Sequence, residues 1–384
     1  MSSADSAVRW ALLFGNFVIG TGVLAPAGLI NDLASAFAVD IATAGTLVAY
    51  GAAVLCIEAP VFAFLTNRVD RRTLLTCALI VYAAGHFASA WAPSFSWLLL
   101  IRLLMIGSAA IFTPQAASAM GLISSPQRRA SGVAFIFLGW SLALAFGIPL
   151  VSLIGAHVGW QSAYIILGVA AAIGALAIFG TLPGGVTAPK LTVAAWIDVV
   201  MNGKVVLILV VTSIFVAGQF TQYPFIAADL KTRLGAGPTL IASFLFLYGF
   251  AGVLGSTVST AAIDRLGAPQ TASTSLAVVL VGFGLWLASG SSVLLAGLGL
   301  AVWGCGGSPM ISAQQARLIA ADPQASSVSV ALNTSVLYAG QAIGTSIGGQ
   351  LMVRADQVAM IAAGISLILA ALIVSLIAQW RWRG

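Results

Sequence analysis

Twelve apolar runs, each long enough to cross the hydrocarbon of a bilayer and joined by connections too short to fold alone, constrain this chain more than anything else in it. They are expected at 9 to 32, 41 to 65, 73 to 92, 95 to 121, 130 to 155, 160 to 182, 204 to 229, 237 to 262, 270 to 289, 291 to 319, 326 to 351 and 356 to 380. Each is continuous rather than alternating, which excludes the short alternating strands of a membrane β-barrel. With 60% hydrophobic and 7% charged residues and a mean hydropathy of +1.07, the chain holds more apolar side chain than one soluble core can bury. The fold class is therefore all-α and polytopic, with twelve transmembrane helices and no soluble domain left over for chemistry.

The net charge of +6 would point to nucleic acid in a soluble protein, but the placement of the basic residues accounts for it. With the N-terminus inside, Arg9, Arg68, Arg71, Arg72, Arg128, Arg129, Lys190, Lys204, Arg265, Arg317, Arg381 and Arg383 fall on the cytoplasmic side, against Lys231, Arg233 and Arg354 outside. Both termini are thus expected in the cytoplasm, with the first segment retained rather than cleaved. The partners implied are a lipid bilayer and no nucleic acid. Cys56, Cys77 and Cys305 lie inside runs without metal spacing and read as packing residues, and no metal or cofactor is expected.

The loops repeat. Arg68 with Arg265, Gly107 with Gly304 and Pro126 with Pro323 are separated by one and the same interval, each pair at corresponding helix positions. This implies two homologous halves, 1–182 and 204–384, joined by a linker, 183–203. The linker opens with Pro and Gly and continues into "LTVAAWIDVVMNGK", where Leu191, Ala194, Trp196 and Ile197 form an apolar face suited either to a helix on the membrane surface or to a loose tether.

These features resemble the major facilitator superfamily, in particular its drug:proton antiporter branch and the arabinose-efflux-permease-like group. "TNRVDRRTLL" after the second run is similar to the superfamily's Gly-x-x-x-Asp-Arg-x-Gly-Arg-Arg loop, with Asn67 at the Asp position and Asp70 at the Gly position, and with Arg68, Arg71 and Arg72 kept. The second copy keeps Asp264 and Arg265. The resemblance implies two pseudo-symmetric six-helix bundles, and for these loop residues a role in gating. Gly139, Gly147 and Pro149 in "GWSLALAFGIPL" match the Gly/Pro-rich fifth helix of antiporters, which implies export.

Glu58 stands about two turns inside its run, where a charge costs about 2.5 to 3.5 kcal/mol and a carboxyl escapes the cost by binding a proton. Asp32, Asp229, Asp264 and Asp356 fall near span ends, and Val23 stands where many relatives have an acid, so Glu58 is the expected proton carrier. Its alternative is a glutamate bonded in a helix interface. Arg102 resembles the fourth-helix arginine linked to coupling, although Gly107 comes one position later than the superfamily's glycine; no direct salt bridge to Glu58 is expected.

Spans one, four, seven and ten line the cavity in the fold the chain resembles. On that basis Thr113 faces the cavity together with Arg102, while Gln219, Gln222 and Tyr223 share one face of span seven. Trp303 and Gln314 would serve from span ten, and Asn333 and Gln341 from span eleven, interhelical bonding being the alternative for each amide. Trp140, Trp303 and Phe220 add aromatic faces. The expectation is a secondary transporter, acting as a monomer in a bacterial inner membrane, that exports a small organic molecule against the proton gradient. The alternative is an uncoupled facilitator or uptake carrier of the same fold. No constellation of groups supports an enzyme.

Overall fold

The computed structural model of the protein describes residues 3–66, 68–125, 129–187, 193–322, 326–354 and 356–381. Asn67, Pro126, Arg128, Lys190, Leu191, Pro323 and Arg383 lie outside the described residues, as do the side chains of Arg129 and Ala194.

The expected runs are helical. The first half comprises α1 (Ser3–Gly28), a short α2 (Ile30–Ala36), α3 (Ile41–Leu65), α4 (Arg71–Ala90), α5 (Phe95–Met105), α6 (Gly107–Ile123), α7 (Arg129–Leu142), α8 (Ile148–Val158) and α9 (Trp160–Thr181). The linker forms α10 (Val193–Met201). The second half comprises α11 (Gly203–Phe220), α12 (Ile226–Leu234), α13 (Pro238–Leu266), α14 (Ala268–Ala288), α15 (Val293–Ala321), α16 (Ser326–Val353) and α17 (Gln357–Arg381). Polar residues between runs cap the helices they precede: Asp40 accepts from Thr43 N at 2.6 Å, Asp70 from Thr73 N at 3.1 Å and Asn202 from Lys204 N at 3.1 Å.

Among the described residues, 11 segments are long and apolar enough to cross a membrane. The remaining expected span, α16, has the length but is diluted by Asn333, Gln341 and several serines and threonines, which lie where it packs between α3 of the other half and α11 of its own. Two spans depart from a regular α-helix. Span five widens into a π-turn at Ala143–Gly147 between α7 and α8, and span seven leaves the α-helix at Thr221–Phe225 between α11 and α12, whereas span four runs on through Ile106, which keeps helical dihedrals and its bonds to Arg102 and Ala110. Irregular backbone is tolerated at membrane depth only where protein or a cavity surrounds it.

Packing repeats between the halves. α1 packs on α9 and α4 on α9 and α6 in the first; α11 on α17 and α14 on α17 and α15 in the second. The halves meet along two seams, α3 with α16, and α13 with α7, the π-turn and α8. At the first seam the Phe225 ring wedges between α3 and α16, 2.8 Å from where a Gly45 Cβ would stand. With twelve crossings, both termini lie on one face, the terminal face; Phe225 sits near the opposite face.

α10 buries Val199 fully and tucks Trp196 onto an apolar patch of α11, α15 and α16 that includes Val205, Ile208, Leu318 and Val328. Ile197, Val200 and Met201 point outward, so the linker is a helix packed on the second half rather than a free tether. The cysteines differ from expectation, since Cys77 and Cys305 are exposed on the outer surface of the bundle.

Within the second half, Gly340, Gly344 and Gly348 of α16 lie directly on the α11 backbone, against Ser213, Ala217 and Thr221. A Gly344→Val change places its Cβ inside the Ala217 carbonyl, and overpacking of this kind costs about 1 to 3 kcal/mol. The expected outcome is a lower unfolding temperature in detergent than wild type, with Gly184→Val, which meets no atom, unchanged.

Candidate functional site

A cavity of about 300 Å³ lies between the halves. It runs from Leu24 and Tyr223, both almost fully buried near the seal, to the partly exposed Ser256, Ser312, Gln315 and Thr334 toward the terminal face. The seal and the graded exposure make it a cavity closed at one end. Phe137, Trp140, Phe220, Tyr223, Tyr248 and Tyr338 supply aromatic faces, and Thr113, Gln219, Ser308, Gln315 and Gln341 supply hydrogen-bonding groups. No Asp, Glu, Lys or Arg lines it among the described residues.

The lining is positioned from behind. Gln219 accepts from the Trp303 indole at 2.7 Å and from the Tyr248 hydroxyl at 3.5 Å, which leaves its amide N–H groups to serve a ligand. Trp303 also packs against Phe283, Tyr248 and Tyr223, with ring centroids at 4.4, 5.1 and 6.5 Å. On the other wall Thr113 donates to Asn16 at 2.7 Å and accepts from the Trp140 indole at 3.2 Å, while Asn16 donates to the Ile136 carbonyl at 2.9 Å. This chain of bonds fixes the Trp140 ring at the cavity wall.

Several expected residues stand elsewhere. Thr113, Gln219, Tyr223 and Gln341 line the cavity, as read from the sequence. Trp303 is fully buried behind Gln219 and supports the wall rather than forming it. Gln314 bonds the Ile208 carbonyl at 2.9 Å and Thr212 at 3.0 Å and accepts from Arg317 at 2.8 Å; its neighbour Gln315 is the lining residue. Asn333 is buried and Thr334 takes the cavity position.

Gln222 does not share the face of Gln219, because α11 ends at Phe220 and the turn rotates its side chain away from the cavity. There it donates to Asp229 at 3.2 Å. Asp229 falls near a span end in the sequence, yet it is fully buried and paired with Arg233 at 3.0 Å. Its position near the end of a run does not place it at the surface, since α12 continues span seven into the contact with α2 of the other half.

Arg102 and Thr113 both reach α1, but Arg102 does not line the cavity, because backbone of α1 and α3 encloses its guanidinium. It is 2% exposed and donates to the carbonyls of Leu47 at 2.6 Å, Gly22 at 3.2 Å and Val23. One guanidinium thereby ties spans one, two and four together through backbone, with Tyr82, His86 and Tyr164 buried around it. Glu58 does not pair with it. Glu58 lies against Gly107 of α6, whose Cβ would stand 2.9 Å from Oε2, and that oxygen is buried with no hydrogen-bond partner among the described residues. The close α3–α6 approach thus falls at Gly107, one position beyond Ile106.

The loop after span two is tied down. Asp70 caps α4 with Oδ1 and takes Gly185 N at 2.6 Å and Val186 N at 3.0 Å with Oδ2, while Arg71 N donates to the Val186 carbonyl at 2.9 Å. Arg71 is buried and its Nη1 donates to the Thr66 carbonyl at 2.9 Å. Arg72 covers the Phe179 ring at 4.2 Å, Arg68 is exposed, and Asp264 and Arg265 are exposed at the end of α13. In span five Gly139 lies against the α1 backbone at Leu13 and Phe17, Gly147 meets Thr21, and Pro149 opens α8 after the π-turn.

Burial acts to raise the Asp70 carboxyl, and the hydrogen bonds from Thr73, Gly185 and Val186 outweigh it, holding it below the ordinary carboxylate range. A lowered folded value stabilises above the unfolded pKa and is lost as pH falls through the folded one. Wild type should therefore resist proteolysis at 183–203 better than Asp70→Asn at neutral pH, and the difference should vanish in acid. Arg102→Lys should unfold at lower temperature than wild type, since one ammonium cannot reproduce the planar fork across three carbonyls.

The fold is shared with solved transporters of low sequence identity. A peptide transporter, POT, crystallised with alafosfalin, superposes at a TM-score of 0.78 with 16% identity over 96% of this chain and 93% of its own. A bacterial homolog of the human lysosomal transporter Spinster, inward-facing and unoccupied, gives 0.74 and 16% over 98% and 96%. The human organic anion transporter MFSD10 gives 0.72 and 17% over 97% and 98%. The family description Major Facilitator Superfamily matches residues 12–223, more than half of the sequence, and the chain belongs to that superfamily.

Proposed function

We propose that this chain is a secondary transporter that exports an uncharged, ring-bearing small organic molecule across a bacterial inner membrane in exchange for protons, one half rocking against the other. The observation that carries the reading is the cavity: closed at one end, walled by six aromatic rings, and offering amides and hydroxyls but no charge. Stacking faces with a few amides suit a sugar, a nucleoside or a neutral amphiphilic drug. The names of the structural neighbours include a peptide transporter and an organic anion transporter. Such charged cargo would leave its charge uncompensated in this cavity, so neutral cargo is preferred.

In this reading the termini are cytoplasmic, the structure is the inward-open state, and the protein works as a monomer with the proton gradient as its only energy source. Glu58 carries a proton near the cytoplasmic end, where its unpartnered Oε2 gains a donor function on protonation. Arg102 sets the geometry of spans one, two and four rather than binding cargo. Asn67, Arg68, Asp70, Arg71, Arg72, Asp264 and Arg265 govern closure of the cytoplasmic face, and the π-turn beside Gly147 and Pro149 supplies the bend in span five. The separation of Glu58 from the cavity favours the alternative, an uncoupled facilitator, enough to require a direct test.

That test uses proteoliposomes with a trapped pH dye and a labelled panel of neutral sugars, nucleosides, amphiphilic drugs and one cationic dye. Wild type should move a neutral member with a proton signal, and Trp140→Ala should raise its KM about tenfold, equivalent to about 1.4 kcal/mol. Glu58→Gln should keep transport down a gradient and lose the proton signal. Transport by wild type without any proton signal establishes the facilitator instead, and preference for the cation overturns the neutral-cargo reading.

A further inference from the structure

The amide of Gln219 is the polar group held most firmly at the cavity, and what holds it also decides which way round it sits. The Trp303 indole is a donor only, and it gives its proton to Gln219 Oε1 at 2.7 Å. The Tyr248 hydroxyl approaches the same oxygen at 3.5 Å. With the amide turned over, its NH2 group would face the indole N–H, and two donors would stand against each other where both residues are buried. The oxygen therefore stays inward with both lone pairs engaged. Gln219 Nε2, which donates to no group among the described residues, is left to the cavity that Gln219 lines.

Trp303 has no room to give way. It is fully buried, the Phe283 ring stands behind it at 4.4 Å, and the α14 backbone passes so close that a Cβ at Gly282 would lie 2.5 Å from Trp303 N. One turn further along α15, Gly307 leaves the space that the amide occupies, since a Cβ there would lie 3.1 Å from Gln219 Oε1. A large ring and a side-chain amide are thus packed against each other without freedom to turn.

The facing wall is fixed in the opposite sense. Thr113 gives its hydroxyl proton to Asn16 Oδ1 at 2.7 Å and accepts from the Trp140 indole at 3.2 Å, and Asn16 is itself oriented by donating to the Ile136 carbonyl at 2.9 Å. What remains to Thr113 is one lone pair. The second half therefore presents a fixed donor and the first half a fixed acceptor, with the flat Trp140 ring on the wall between the halves.

We infer that the bond from Trp303 makes Gln219 a donor-only specificity residue, and that the cargo is a neutral ring compound with a lactam edge, a ring carbonyl beside an N–H, whose carbonyl oxygen accepts from Gln219 Nε2. Trp303 is the positioning residue. The inference rests on the neutral-cargo reading of the cavity and narrows it. A free glutamine amide suits an amino-substituted ring as well as an oxo-substituted one, because it offers its oxygen to the amino group and its nitrogen to the neighbouring ring acceptor. Gln219 lacks that choice, since its oxygen is engaged. An amino group on the cargo meets an NH2 group and leaves both unpaired, the mismatch that a hydrogen-bonding site rejects. Gln315 and Gln341 line the same cavity with no bond that sets their orientation among the described residues, so they adapt to the rest of the cargo.

The test uses matched pairs of neutral compounds that exchange a ring carbonyl for an amino group at one position: uridine and cytidine, inosine and adenosine, and the free bases of each. Dissociation constants are measured by equilibrium dialysis on the full-length chain in nanodiscs, with empty nanodiscs as the blank. Wild type should bind the oxo member of a pair about tenfold tighter, the scale of one neutral hydrogen bond exchanged for an unpaired donor. Trp303→Phe keeps a buried ring and removes its N–H, so the amide turns freely and the ratio within a pair should fall toward one. A Trp303 that only packs would weaken both members alike and leave that ratio unchanged. Gln219→Met removes the donor without touching the buried indole and should also abolish the ratio, which keeps the test open if Trp303→Phe does not fold.

An amino member bound by wild type as tightly as its oxo partner, a ratio that survives Trp303→Phe or Gln219→Met, or no oxo compound bound at all overturns the inference. The liposome panel fails differently. Preference there for the cationic dye removes the neutral-cargo reading, whereas preference for a neutral compound without a carbonyl removes only the lactam edge.

Discussion

In a bilayer no water is available to a broken helix, so every interruption of backbone bonding must be satisfied by the protein itself. The architecture depends on where this chain meets that demand. Its two interrupted spans flank the cavity: the π-turn of span five places Leu144 on the wall, and the turn of span seven places Phe220 and Tyr223 there. From span four, Arg102 adds donors to carbonyls of spans one and two that an apolar side chain could not serve. The same constraint that forces helices elsewhere thus concentrates irregular backbone, and with it polar chemistry, at the centre.

The two halves handle charge differently. The first half buries Arg71 and Arg102, and both donate to carbonyl oxygens. The second half buries Arg317 against neutral groups as well, Gln314 and Ser375, and in addition pairs the partly exposed Arg233 with the buried Asp229.

Span number and approximate ends, the two-half plan and four of the eight residues expected at the cavity are legible in the sequence, because run length, loop repetition and helical spacing are properties of the chain alone. Helical spacing suffices to place Thr113, Gln219, Tyr223 and Gln341. Spacing misplaces Gln222 because it assumes an unbroken helix, and the turn of span seven contains no residue that announces it ahead; Pro224 comes late in that turn. Arg102 keeps the α1-facing side that spacing assigns to it with Thr113, but depth along the span puts it beyond the cavity. Gln314 and Asn333 fall one residue short of Gln315 and Thr334, because a helix drifts across a cavity over the turns that separate those residues from Trp303 and Gln341. Asp229 escapes a sequence reading because nearness to the end of a run measures depth along one helix, not burial by neighbours. Tyr248 and Tyr338 carry no signal beyond their aromaticity.

The grip of Asp70 and Arg71 on Gly185 and Val186 bears on biosynthesis. All partners in that knot precede α10 in the chain, so it can form while the second half is still being translated. The first bundle then has its longest connection fastened before α11 reaches the membrane, and α11 begins its insertion from an anchored starting point rather than from a free strand. A loop usually discussed for what it does in a finished transporter is, on these contacts, also a clasp that completes one bundle before the next is made.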